Sequence, residues 1–87
     1  MQSPQLNSAS PLPIALALND GTTLATVGDA AACLARLSEE QRQKHYWKVA
    51  VKLLDSALKE SRYLYAATLT LQTALLLDGL AGGPAEA

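Results

Sequence analysis

Between Leu12 and Leu18 the chain alternates large and small apolar residues, with Leu12, Ile14, Leu16 and Leu18 on one side and Ala15 and Ala17 on the other. A period of two is that of a strand with one core-facing side. Asn19-Asp20-Gly21 follows, and Thr22–Val27 resumes with β-branched residues, so the two runs predict a β-hairpin. Two registers are open. A three-residue loop with Gly21 left-handed sets Leu16 opposite Leu24, whereas a two-residue turn at Asp20-Gly21 sets it opposite Ala25. The first keeps the large side chains together on one face and is the expected one.

Past the hairpin the period becomes helical. Thr26-x-x-Asp29 is a shortened capping box, and Asp29–Leu37 predicts a short helix with Ala30, Cys33, Leu34 and Leu37 on one face. Ser38-x-x-Gln41 opens a second box. Within Glu39–Glu60, at about 100° per residue, Tyr46, Trp47, Ala50, Val51, Leu53, Leu54, Ala57 and Leu58 share one arc. Lys44, Lys48, Lys52, Asp55 and Lys59 occupy the opposite arc, so this stretch is the amphipathic central helix. Glu39–Lys44 is either its first turns or a separate short one. Ser61 is the expected cap of a last helix over Arg62–Asp78, with Gly79 as its left-handed stop. The last two helices would then form an αα-hairpin with almost no loop.

The last helix is more apolar than one core contact requires. Leu64, Ala67, Leu71, Ala74 and Leu75 make one stripe. Tyr65, Leu69, Gln72 and Leu76 make a second, roughly 140° away. The flanking segments, 1–11 and 80–87, are polar or small-residue-rich without period and read as disordered tails. The expected fold is therefore α+β: one domain over 12–79, an N-terminal β-hairpin followed by three helices.

Eighty-seven residues suffice for one thin core. Apolar residues make up 49% of the chain but aromatic ones only 5%, so that core is built from Leu, Ala and Val and gains from association with a second copy. Net charge is −1, which points to neither nucleic acid nor membrane. The charges are nonetheless uneven. All seven Lys and Arg lie between Arg36 and Arg62 beside four acids, giving +3 there and −4 elsewhere. One cysteine excludes an internal disulfide framework. The opening residues carry no positive region followed by an apolar run, and the Leu-rich C-terminal stretch falls short of the ~20 residues a membrane span needs. A cytoplasmic location is expected.

Chemistry finds little support. Cys33 could act as a nucleophile with His45 as base. However, Cys33 sits on an apolar helix face, where a thiol is usually a small buried hydrophobe, and His45 projects toward the basic side. One His and one Cys cannot close a metal site. Glu39 and Glu40 are adjacent in a first helical turn, where they suit the helix dipole. Gly28 stands alone, and Gly82-Gly83 precedes proline with no strand before it, so no phosphate loop is present. No catalytic residue, cofactor or metal is expected. The basic face Lys44, Lys48, Lys52 and Lys59 could follow a phosphate backbone. It is interrupted by Asp55, it lacks an arginine cluster for reading bases, and Trp47 lies on the opposite side of the helix. Tyr46, Trp47, Tyr63 and Tyr65 bracket the helical hairpin and are expected at one end of it.

The order of these signals resembles a bacterial family known as domain of unknown function 982. The residues that carry the resemblance are Asp20-Gly21, Val27, Ala30-Ala31, Leu34, Ala50, Leu54, Ala57-Leu58, Ala66-Ala67 and Gly79, spanning Pro13 to Gly79. Where that family often has Trp-Pro-Gly between the first two helices, this chain has Ser38-Glu39-Glu40-Gln41. Where it usually has cysteine within the long helix, this chain has Leu54. The resemblance implies the same order of elements and carries no activity and no site residues. The expected function is a small non-enzymatic interaction module, most simply a homodimer through Tyr65, Leu69, Gln72 and Leu76 of the last helix, in an accessory or regulatory protein. A nucleic-acid-binding accessory using the basic face is the alternative.

Overall fold

The computed structural model describes residues 7–81. Its elements are β1 (Pro11–Ala17), β2 (Thr23–Thr26), α1 (Val27–Ala35), α2 (Glu39–Arg42), α3 (His45–Lys59), a 3-10 turn at Ser61–Tyr63, and α4 (Leu64–Leu77). This is the expected α+β order, with the central helix divided in two.

The hairpin takes the three-residue loop. Leu16 pairs with Leu24 and Ala17 with Thr23, and Gly21 adopts a φ of 91°. The loop closes through Leu18 N–H to the Thr22 carbonyl at 2.8 Å and Thr22 N–H to Asp20 Oδ1 at 2.9 Å, an Asx turn that leaves Gly21 the left-handed position. Toward the open end the ladder is irregular. Pro11 opposes Thr26, so between the paired positions four residues of β1, 12–15, stand against one of β2, Ala25. Pro13, which has no N–H to contribute, lies in that bulge. Leu12, Leu16 and Leu24 enter the core, with Ile14 and Leu18 packed at its margin.

Local chemistry sets the helix starts. Thr26 and Asp29 form a reciprocal capping box, so α1 begins at Val27, earlier than the strand-like run Thr22–Val27 suggested. Ser38 and Gln41 form a second box around α2. The chain then leaves helical geometry at Lys44, whose ψ is 139°, before α3 begins. Arg42 donates to the Leu37 carbonyl at 3.1 Å and the Ala35 carbonyl at 3.0 Å, supplying partners to carbonyls at the end of α1. Ser61 does not cap α4. It begins the 3-10 turn, and α4 starts without a side-chain cap. Gly79, with φ 75°, ends α4 in a Schellman arrangement: Leu80 N–H reaches the Leu75 carbonyl at 2.9 Å and Gly79 N–H the Leu76 carbonyl at 3.2 Å.

Helix α4 lies between α3 and β1, while α1 packs on β2. Trp47, Ala50, Leu54 and Ala57 of α3 meet Ala67, Leu71, Ala74 and Leu75 of α4 in one continuous core. Thr68 is the buried polar side chain, and its hydroxyl donates to the Leu64 carbonyl at 2.8 Å.

Both ends of the described chain are fastened. Asn7–Ser10, placed in the N-terminal tail by the sequence, form a turn whose Ser8 and Ser10 carbonyls accept from Gly28 and Val27 N–H at 2.9 and 2.8 Å. Leu80 accepts from Asn19 N–H at 2.9 Å, and the Asn19 amide donates to the Gly79 carbonyl at the same distance. The hairpin tip is thereby tied to the end of α4. The remaining tail residues, 1–6 and 82–87, lie outside the described residues.

A Cβ at Gly28 would stand 2.9 Å from the Ser8 carbonyl oxygen. Gly-to-Ala inside a helix ordinarily gains up to about 1 kcal/mol. Here Gly28→Ala is expected to lose about 1 kcal/mol instead, because a backbone atom must move. Urea denaturation checks the sign, and a stabilised variant would show that the turn does not press on α1.

Candidate functional site

Three places on the molecule carry chemistry or unusual surface: a carboxylate node at the end of α4, a cleft beside Cys33, and the outer side of α4.

The node is centred on Asp78, the residue that follows α4. Its Oδ2 accepts from Gln41 Nε2 at 2.6 Å and Trp47 Nε1 at 3.1 Å. Its Oδ1 accepts from the Tyr46 hydroxyl at 2.9 Å and Lys44 Nζ at 3.3 Å. A carboxylate offers about four lone-pair sites, and all four have donors. The side chain is 10% exposed. Gln41 first, then Tyr46, Trp47 and Lys44, hold the Asp78 carboxyl down to about 2, against the opposing effect of burial. An acid at a helix C-terminus faces the negative end of the dipole, so these donors also offset an unfavourable position. The node joins α2 and the start of α3 to the end of α4. It explains the break at Lys44: the extended residue lets Lys44, Tyr46 and Trp47 converge on one carboxylate with Gln41. The carboxylate's accepting sites are all engaged by the protein's own donors, which makes it a structural clasp.

The node also corrects the expected aromatic cluster. Tyr46 and Trp47, with ring centroids 6.1 Å apart, lie at the Asp78 end of the hairpin. Tyr63 and Tyr65 lie at the start of α4, the other end of an antiparallel pair. Trp47 is fully buried, and Tyr63 is held beside Arg62, 5.1 Å from guanidinium to ring.

A cleft of about 250 Å³ opens between the hairpin tip, α1 and Leu80, with Leu18, Leu24, Cys33 and Arg36 among its walls. Burial pushes the half-buried Cys33 thiol up, opposite to the shift that activates a nucleophile. His45 is exposed on α3 and does not line this cleft. Among the described residues no three His, Cys, Asp or Glu side chains are grouped so as to hold a metal ion.

Two of the four lysines on the basic face are paired. Lys44 binds Asp78, and Lys59 lies 3.5 Å from Asp55 one turn earlier. Lys48 and Lys52 are exposed, without an ion-pair partner among the described residues. The unpaired charge on this face is thus about two, a small counterion-release term for a nucleic acid.

The outer side of α4 is different in kind. From Leu64 to Leu77 the helix contains no charged residue. A helix that is apolar all round is normally buried all round, yet Tyr65 is 56% exposed, Leu69 37%, Leu76 39% and Leu77 62%. Gln72, half-buried, lies in the same row. Of the first stripe, Ala67, Leu71, Ala74 and Leu75 are buried as the spacing predicted, and Leu64 at its start is half-buried. The second is the one that meets solvent in the single chain. Val51 and Leu58 of α3, on the apolar arc by spacing, are also exposed.

No family model matches the chain, and no curated protein or solved structure is significantly similar to it. Among the described residues no helix is long and apolar enough to cross a membrane.

Proposed function

We propose that the protein is a small non-enzymatic interaction module that forms a homodimer through the outer stripe of α4, Tyr65, Leu69, Gln72 and Leu76, in a cytoplasmic accessory or regulatory protein. One observation carries this reading: a fourteen-residue helix without a charge leaves large apolar side chains open to solvent. Contiguous apolar patches of this kind mark association surfaces. A two-fold interface needs a surface that matches itself, and a face without charge meets its own copy without like-charge repulsion. The kinship with domain of unknown function 982 suggested by the order of elements adds no role of its own.

Leu69→Glu with Leu76→Glu is the test. In the single chain both carboxylates would stand in water, so folding should be retained. In the dimer four new negative charges would face one another. The double variant is expected to sediment as a monomer at concentrations where the wild type is dimeric, with an unchanged helical circular dichroism spectrum. A variant that unfolds without first dissociating would place this stripe in the core and remove the proposal's support.

A further inference from the structure

The cleft between the hairpin tip and α1 joins two kinds of surface. Leu18, Leu24, Leu37 and Leu80 give it aliphatic walls, and Asp20, Asp29 and Arg36 bring charges to it. Asp29, Ala32, Cys33 and Arg36 follow at i, i+3, i+4 and i+7, so they share one side of α1 and its C-cap. Asp29 and Arg36 are therefore about 10 Å apart along the helix. Asp29 is held at its own end by the capping box, where it accepts from Ala25 and Thr26 N–H at 2.9 and 3.2 Å. Arg36 lies toward Asp20. The Thr22 amide first, with Arg36 as a lesser cause, holds the Asp20 carboxyl below its ordinary value. Burial first raises the Cys33 thiol, then Arg36 lowers it and Asp20 raises it, so both charges act on the same part of the cleft. Yet Arg36 and Asp20 form no ion pair with each other or with any other described residue.

An apolar cavity of ~150 Å³ holds benzene, or about 25 Å³ per heavy atom. On that scale a cleft of about 250 Å³ admits a ligand of about ten heavy atoms. We propose that it binds a free α-amino acid with a branched aliphatic side chain, the carboxylate on Arg36, the ammonium on Asp20 and the side chain among Leu18, Leu24, Leu37 and Leu80. The planar guanidinium suits a carboxylate. Both charges of the ligand are needed. An apolar acid without the amine would meet Asp20 as a like charge, and an apolar amine without the acid would meet Arg36 as one. Cys33, its thiol kept neutral, packs as a further apolar wall. The walls are also set in advance. Asn19 N–H donates to the Leu80 carbonyl at 2.9 Å and the Asn19 amide to the Gly79 carbonyl at 2.9 Å, which ties the loop bearing Leu18 and Asp20 to Leu80. Binding then spends little on ordering the site.

The test titrates L-leucine into the full-length, nitrogen-15-labelled protein near neutral pH and follows the amide chemical shifts. Saturable shifts are expected at Thr22, Leu24, Cys33 and Leu80, with half-saturation on the order of 1 mM. Leucinamide, which lacks the carboxylate, and N-acetyl-leucine, which lacks the ammonium, should each bind at least about tenfold more weakly. L-alanine, which lacks the aliphatic body, should do the same. Arg36→Gln and Asp20→Asn should each weaken leucine binding by a similar factor, about tenfold. Asn at position 20 keeps an oxygen for Thr22 N–H, so the loop is retained, and each variant's own spectrum reports its fold. No saturable shift at these amides up to about 20 mM leucine would overturn the site. Leucinamide or N-acetyl-leucine binding as well as leucine would overturn the two-charge recognition, and the ligand series alone decides this on the unmodified protein.

Discussion

Trp47→Ala is expected to cost about 3–5 kcal/mol, the range for deleting a large core aromatic. Trp47 is fully buried, on the face of α3 that meets α4. Its ring nitrogen is also one of the four donors to Asp78, so truncation leaves a cavity and removes part of the clasp in one step. Domains are stable by about 0.05–0.15 kcal/mol per residue, about 4–13 kcal/mol for this length, and a thin aliphatic core belongs at the low end, where a loss of this size approaches the whole. The variant should be largely unfolded at room temperature, measured by circular dichroism because the tryptophan signal is gone. Trp47→Phe keeps most of the ring and loses the N–H, and should fall well short of the alanine loss. A cost below about 1 kcal/mol for alanine would contradict the placement of Trp47 at the centre of the core.

Asp78→Ala is expected to cost about 2–4 kcal/mol, because Gln41, Tyr46 and Trp47 would each lose an acceptor in a mostly buried place. Asp78→Asn is no neutral substitute, since one of its two polar atoms would present N–H groups to donors. The node also makes a pH signature. The Asp78 carboxyl is held at about 2 in the folded chain, below its ordinary 3.8. Stability from this group is therefore fully present above about pH 4–5 and is lost as pH falls through about 2. The loss is about 1–2 kcal/mol, allowing for solvent at the edge of the site. Urea denaturation between pH 6 and pH 2 should show that fall in the wild type. The part of it due to Asp78 should vanish in Asp78→Asn. An identical pH dependence in both proteins would mean that the donors do not act on this carboxylate.

What was legible in the sequence was what neighbours in the chain decide. Asp20-Gly21 specified the loop and hence the Leu16–Leu24 pairing, because the Asx turn and the left-handed glycine lie within four residues. Thr26 with Asp29, and Ser38 with Gln41, marked helix starts for the same reason. The buried and exposed stripes of α4 followed from spacing alone. The break at Lys44 was one of two open alternatives and the sequence did not decide it, since Gln43-Lys44-His45 contains neither glycine nor proline and the helical period runs through it. It is decided by Asp78, more than thirty residues away. A signal was present in retrospect: an acid at a helix C-terminus violates the dipole preference, and such a violation calls for donors from elsewhere. Ser61 misled in the opposite sense. It has cap chemistry, but the chain tightens into a 3-10 turn there and α4 begins three residues later. The aromatic residues were grouped by their positions near helix starts, and antiparallel packing separates the starts of α3 and α4.

Self-association through α4 is tested most directly by sedimentation velocity on the unmodified protein across a range from about 1 to 300 µM, which brackets a micromolar dimer. The expected result is a concentration-dependent shift from a species of one chain to a species of two. A single one-chain species throughout that range would contradict self-association through the exposed stripe of Tyr65, Leu69, Gln72 and Leu76.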